Sequence, residues 1–293
     1  MRIDELPRSD RVEDRRGVRM RRGGIGLGTL IIAGLIAWAL GINPLWVIGG
    51  LEVLTGGQSQ QQTQPAGPPA SGGTSDQMKD FVSAVLGSAD AQWAQLFKQG
   101  NVRYQPPTLV MFSGATSSAC GFAQAAMGPF YCPLDRKVYL DTSFFADMQR
   151  KFGACGTGQA CEFAQAYVIA HEIGHHVQNL LGILPKLQQM QQGMGRGEAN
   201  QLQVMAELQA DCFAGIWANH AQQKWKFLDP GDIEAALQTA SAIGDDRIQR
   251  RSQGYVVPDA FTHGSARQRV RWFTIGLKSG DVTKCNTFDA PQL

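Results

Sequence analysis

From Gly23 to Leu51 the chain carries no charged residue, and the densest part, Ile25 to Ile42, reads IGLGTLIIAGLIAWALGI. No other feature limits the architecture so strongly. The run is long enough to cross hydrocarbon as a helix, which takes roughly 20 residues. Five arginines lie within Arg15–Arg22 just before it, and Glu52 is the first charge after it. Basic residues favour the cytoplasmic flank, so the N-terminus is expected in the cytoplasm and the rest outside. Trp38 and Trp46 suit the far interface. A cleaved signal peptide would have an apolar core of about 7–15 residues and a small-x-small cleavage site; this run is longer and shows no such site. Gly24 and Gly28 form a GxxxG, read here as lipid-facing glycines in a glycine-rich span.

The run divides the chain into four parts. Residues 1–22 are expected as a cytoplasmic Arg-rich tail and 23–50 as a single transmembrane helix. Residues 51–75 are expected as a flexible linker, because Gly56–Ser75 reads GGQSQQQTQPAGPPASGGTS, without charge or apolar period. Residues 76–293 form the domain, placed outside the cytoplasm (periplasmic or extracellular) and tethered to the cell membrane. The tail holds eight of the 27 basic residues and five of the 25 acidic ones, which leaves residues 23–293 with a net charge of −1. The domain therefore has no electrostatic footprint for nucleic acid, and none is expected as a partner. Oligomeric state is not legible.

At 43% hydrophobic the chain can bury a core. Phe81, Val82, Val85, Leu86, Trp93, Leu96 and Phe97 recur at helical spacing, and Asp76 is a candidate cap. Short extended runs follow at Thr108–Phe112, Gly128–Cys132 and Lys137–Asp141, the last read as an edge strand. Helices are then expected at 142–152, 161–181, 198–227, 232–252 and 265–279. The fold class is α+β, mainly helical with a small β-sheet. Six cysteines without a CxxC, in a domain expected to face outward, suggest disulfides. Close spacing favours Cys120–Cys132 and Cys155–Cys161; Cys212–Cys285 follows by elimination, with buried free thiols as the alternative.

The chemistry concentrates in His171-Glu-Ile-Gly-His175. Histidines four apart share one helical face, and both can reach one Zn²⁺. Glu172 projects about 100° away, beside the metal rather than on it, where a carboxylate can act as general base toward water. A catalytic zinc needs a third ligand and an open position. Glu207 is the candidate, with Asp211 one turn on to accept the spare N–H of a ligand histidine. His263, in a glycine-containing turn before a helix, is a candidate oxyanion stabiliser, with Tyr255 a weaker one. Ser265 reads as the cap of that helix. His176 is expected to pack or face solvent, and His220 to lie on the surface. Arg267, Arg269 and Arg271 are expected on a solvated face or paired with nearby acids.

Five stretches together resemble the bacterial family of predicted neutral zinc metallopeptidases: Gly128-Pro-Phe-Tyr-Cys-Pro133, Val138-Tyr-Leu-Asp141, His171-Glu-Ile-Gly-His-His-Val-Gln178, Glu207-Leu-Gln-Ala-Asp-Cys-Phe-Ala-Gly215 and Thr262-His-Gly-Ser265. The resemblance runs over nearly the whole chain. It implies a zincin-like domain with a gluzincin-type site: one zinc per chain on His171, His175 and Glu207, with Glu172 as base. The spacing of Glu207, Asp211 and a later histidine is also similar to the heat-shock and CAAX-processing membrane metalloproteases, in which such a histidine lines the active site; His263 is its counterpart here. The expected function is a membrane-anchored zinc endopeptidase whose partners are peptide or protein substrates. The alternative is a non-catalytic, metal-stabilised binding or scaffold module outside the cytoplasm. A cell-wall amidase would use related chemistry, but no cell-wall recognition signal is visible.

Overall fold

The computed structural model describes residues 1–17, 74–124, 128–145 and 160–293. The expected membrane span at 23–50 and nearly all of the linker lie outside the described residues. Among the described residues no helix is long and apolar enough to cross a membrane.

The elements run β1 (Val12–Asp14), α1 (Thr74–Gln99), β2 (Thr108–Phe112), β3 (Ala115–Ser118), β4 (Gly121–Gln124), β5 (Phe130–Cys132), β6 (Lys137–Asp141), α2 (Ala160–Leu180), α3 (Ile183–Gln191), α4 (Arg196–Trp225), α5 (Asp232–Ala242), α6 (Asp245–Gln253) and α7 (Ala266–Ser279). Short 3-10 turns lie at Pro258–Ala260 and Val282–Cys285. This is the expected α+β class, mainly helical with a small sheet. The main sheet has the order β1-β2-β6-β5, with β1, β2 and β6 parallel and β5 antiparallel to β6. Strand β2, Thr-Leu-Val-Met-Phe, is an unbroken apolar run after its first residue because it is covered on both faces. Leu109 and Met111 enter the main helical core, whereas Val110 and Phe112 join Cys132 and Tyr139 in a small second cluster. The disulfide Cys120–Cys132 ties the β3–β4 hairpin to β5 on that second side.

Two expectations are corrected here. Lys137–Asp141 is not an edge: β6 lies between β2 and β5, and the edge strand beside α2 is β5. Its bounding charges are satisfied within the fold, Lys137 by Glu13 at 2.6 Å and Asp141 by the backbone N–H groups of Gly114 and Ser143 at 2.7 Å each. The second correction concerns the N-terminus. Residues 1–17 belong to the same compact unit as 74–293. Val12 and Asp14 sit opposite Leu109 and Met111 in a parallel ladder, and Met1 and Leu6 are buried in the main core. Ser9 and Ser83 exchange hydrogen bonds at 3.0 and 2.7 Å, and Arg8 forks onto Asp80 at 2.8 and 2.7 Å. Residues 1–17 are thus built into the folded unit as its first strand and part of its core, and do not form a separate tail.

The helical layer matches expectation closely at α2, α4 and α7. The expected helix 232–252 breaks in two at Gly244, where a Cβ would lie 2.3 Å from the backbone N of Ala266. Helix α3 was not anticipated, because Pro185 and the glutamines around it mask a short amphipathic turn behind Gly182. Most of the expected helix 142–152 lies outside the described residues. So does Cys155, and with it the expected Cys155–Cys161 pair; Cys212–Cys285 is a disulfide as expected.

Candidate metal centre and active site

Helix α2 places His171 and His175 one turn apart on the face that meets α4. The two helices approach closely at Gly174, where a Cβ would stand 3.0 Å from the carbonyl oxygen of Ala210. That approach brings Glu207, from the buried stretch of α4, up to both histidines. Its Oε2 lies 3.2 Å from His171 Nε2 and 3.5 Å from His175 Nε2. Donors about 2.0–2.1 Å from a tetrahedral ion stand roughly 3.3 Å from one another. The spacing therefore suits one cation, and one donor atom from each of the three residues lies within 4.8 Å of the others.

The remaining polar atom of each residue is tied down. His171 Nδ1–H donates to Asp211 Oδ1 at 2.8 Å, and His175 Nδ1–H donates to Gln178 Oε1 at 2.9 Å. Gln203 donates to Glu207 Oε1 at 2.9 Å. The free edge of every group thus points at the shared centre, the arrangement that fixes ligand tautomer and orientation. Asp211 is fully buried and also accepts from Tyr167 Oη at 2.6 Å and from Arg269 Nε and Nη2 at 2.8 and 2.9 Å. Burial opposes its charge, but Arg269 and His171 outweigh burial and hold the carboxyl well below the usual range. Burial likewise opposes a charge on His171, yet Asp211 and Glu207 raise the imidazole to about 10. Glu207 is kept ionised against burial, chiefly by His175 and then His171. A site this rich in carboxylate attracts positive charge, which a divalent cation supplies when it displaces the protons.

Two cavities meet at Pro129, His171, Glu172 and His263. The larger, about 630 Å³, continues past Tyr131 on β5, Leu134, Leu187 on α3 and Gln203. The smaller, about 240 Å³, is lined by Phe144, Val168 and Ile243 among others. Glu172 is nearly buried and opens onto both. His263 reaches both from the other wall. Asp245, at the start of α6, accepts the backbone N–H of Thr262, His263 and Gly264 at 2.7, 2.6 and 3.1 Å, and its Oδ1 lies 3.4 Å from His263 Nδ1. The hydrogen bond with Asp245 is the main reason the His263 pKa is raised.

The match to the family described as "Putative neutral zinc metallopeptidase" spans residues 1–288. The chain belongs to this family. The match takes in β1 as well as the helices that carry the histidines and Glu207. Among relatives, the Escherichia coli (strain K12) protein named "Uncharacterized protein YpfJ" is 47% identical over 291 residues, 96% of each chain. The Mycobacterium tuberculosis (strain H37Rv) protein named "Uncharacterized protein Rv2575" is 45% identical over 222 residues, 72% of this chain and 71% of that one. No solved structure matches.

For this member of the neutral zinc metallopeptidase family, the structure brings His171, His175 and Glu207 together and sets Asp211 behind them. It places Glu172 and His263 on the same cavities and Ser265 as the cap of α7, in a capping box with Gln268. Tyr255 is 62% exposed and lines neither cavity. His220 is half-buried on Gly280 O, away from the site. Of the two settings expected for these arginines, Arg269 takes the pairing with an acid: it is 4% exposed and forked onto Asp211, while Arg267 and Arg271 are exposed. His176 is fully buried, donating from Nε2 to Gln105 O at 2.6 Å and accepting at Nδ1 from Tyr131 Oη at 3.1 Å. Sequence reasoning missed Gln178, Gln203, Tyr167 and Asp245, and the depth at which Arg269 is buried. Three of them stood at helical offsets from the motif: Gln178 three residues after His175, Gln203 four before Glu207, and Tyr167 four before His171. Asp245 carries no such signal, since it meets His263 only through the fold.

Proposed function

We propose that the protein is a zinc-dependent endopeptidase with a zincin-like site. One observation carries this reading: three ligand atoms converge where two cavities meet, with Glu172 alongside. Two histidines and a carboxylate fit zinc, leaving one position for water or substrate. When bound, zinc polarises the scissile carbonyl and lowers the pKa of water at the site. Glu172 removes a proton from that water as its oxygen bonds to the carbonyl carbon. It then returns the proton to the amide nitrogen as the C–N bond breaks, giving a carboxylic acid and an amine. His263, held by Asp245, donates toward the oxygen on which negative charge develops. The free edge of β5 is the element suited to hold an extended peptide by strand addition. The test is Glu172→Gln. Zinc content is expected to stay at one per chain while peptide hydrolysis falls by roughly 10²–10⁴. Undiminished cleavage would remove Glu172 from the mechanism.

We further propose that the whole folded unit, residues 1–17 included, works on one side of the membrane in an oxidising compartment. The disulfides Cys120–Cys132 and Cys212–Cys285 and the β1–β2 pairing support this. The charge-free run at 23–51 remains the proposed membrane attachment. Cysteines introduced at the exposed positions Glu5 and Lys98 are expected to react together with an impermeant thiol reagent on intact cells. Labelling of only one of them would restore the single-pass arrangement.

A further inference from the structure

The smaller cavity differs in kind from the larger one it joins. Its walls are Phe144, Val168, Ile243 and Ile248. The polar groups at its base are already committed: Tyr167 donates to Asp211, and Arg269 forks onto the same carboxylate. The larger cavity is edged by Asn179, Gln188, Gln191 and Gln203, which tolerate polar groups. The break at Gly244 builds the smaller one. It leaves Ile243 at the end of α5 and Ile248 one turn into α6, both facing the cavity, and it places Asp245 between them to hold His263.

We propose that the smaller cavity receives a bulky uncharged apolar side chain of the substrate, on one fixed side of the scissile bond, and so sets cleavage specificity. The proposal rests on the peptidase reading above and names its substrate class: peptides cut beside Leu, Ile, Met or Phe. A charged side chain entering it is stripped of water, and a carboxylate finds Arg269 already forked onto Asp211. A small side chain would leave much of the 240 Å³ unfilled. Residues reaching the larger, mixed cavity are discriminated weakly. The larger cavity orients the peptide, and the smaller one selects the site.

The experiment uses the zinc-loaded full chain and a mixed peptide library, with cleavage sites read by mass spectrometry. Apolar residues are expected to exceed charged ones by at least roughly tenfold at one flanking position, the scale on which an apolar pocket discriminates. Ile248→Lys is expected to erase that preference and move it toward Glu, and Ile243→Trp to move it toward Ala and Ser, both with zinc content unchanged. Vigorous cleavage with no flanking preference, or variants with the parental profile, would overturn the proposal. A second measurement is independent of turnover. Labelled peptides carrying Leu or Phe at the selected position are expected to bind Glu172→Gln protein at least roughly tenfold more tightly than Asp or Lys counterparts. Equal binding would overturn the cavity assignment even without any cleavage, whereas apolar-selective binding without cleavage of any peptide by the parent overturns only the peptidase reading.

Discussion

The metal corner and the rim around His263 hold their polar groups by different means. At the corner, His171, Glu207 and Asp211 are nearly or wholly buried, and each has its outer atom fixed by a partner. At the rim, the His263 side chain is 52% exposed and its position comes mainly from backbone N–H groups gathered on Asp245. Burial makes the corner intolerant, because removing one partner strands another charge without water. The rim can lose a contact to solvent at little cost. Damage at the corner should therefore appear as lost stability and lost metal together. Damage at the rim should appear in turnover, with zinc retained.

The largest effect is expected at Asp211. Asp211→Asn leaves the buried Arg269 guanidinium without its counter-charge and His171 without a charged acceptor. A stability loss of about 3–5 kcal/mol is expected in urea unfolding. Zinc affinity should fall by roughly 10–100-fold in chelator competition. Arg269→Met combined with Asp211→Asn should recover much of the stability and none of the metal affinity. If the double variant regained both, the buried pair would be acting only as packing.

Acid should strain the floor beneath the same corner. His176 sits between Tyr131 and Gln105, and burial holds its pKa down to about 4. The folded protein thus resists a proton that the unfolded chain takes up near pH 6.5. Stability contributed by the neutral ring is present above pH 6.5 and is lost as pH falls toward 4. The loss approaches roughly 3 kcal/mol at pH 4 and below. Unfolding titrations across pH 4–7 should show this slope, and a His176→Asn variant should flatten it.

The rim comes next. His263→Ala should lower kcat by about 10² through loss of oxyanion stabilisation, with zinc content and urea midpoint unchanged. Asp245→Ala should do nearly as much while leaving the imidazole in the chain, since the turn at 262–264 loses the carboxylate that gathers its N–H groups. A fall in zinc content in either variant would erase the distinction between the two regions.

Legibility in the sequence follows the same division. Helical offsets of three and four turn a line of residues into a face, so His171, Glu172 and His175, and separately Glu207 with Asp211, could be read as two faces before any coordinates. That Arg269 is buried could not be read, because its neighbours Arg267 and Arg271 advertise a solvated stripe; only the crossing of α4 and α7 turns it inward. Asp245 was hidden by a helix that looked continuous through 244. The edge position expected for Lys137–Asp141 fails for a related reason. Lys137 and Asp141 look like edge charges, but their partners come from Glu13 and from the turn at Gly114, distant in sequence. Residues 1–17 were hidden by the apolar run itself, which made the first strand look like a topogenic tail.

The smallest predicted effect tests the corner against itself. Gln178 stands behind His175 as Asp211 stands behind His171, but it is neutral. Its amide nitrogen donates to Ala206 O at 2.7 Å and to Gln209 Oε1 at 3.0 Å, and Gln209 in turn reaches the carbonyl of Cys285 beside the Cys212 disulfide. Gln178→Ala removes a neutral acceptor, so no charge is stranded. Zinc affinity should fall by about tenfold, the low end of such outer partners. The unfolding cost should be about 1–3 kcal/mol from the buried acceptors left bare. A loss as large as that of Asp211→Asn would mean that the two histidines depend on hydrogen-bond geometry rather than on the charge behind them, and the Arg269–Asp211 pair would then have no special part in holding the metal.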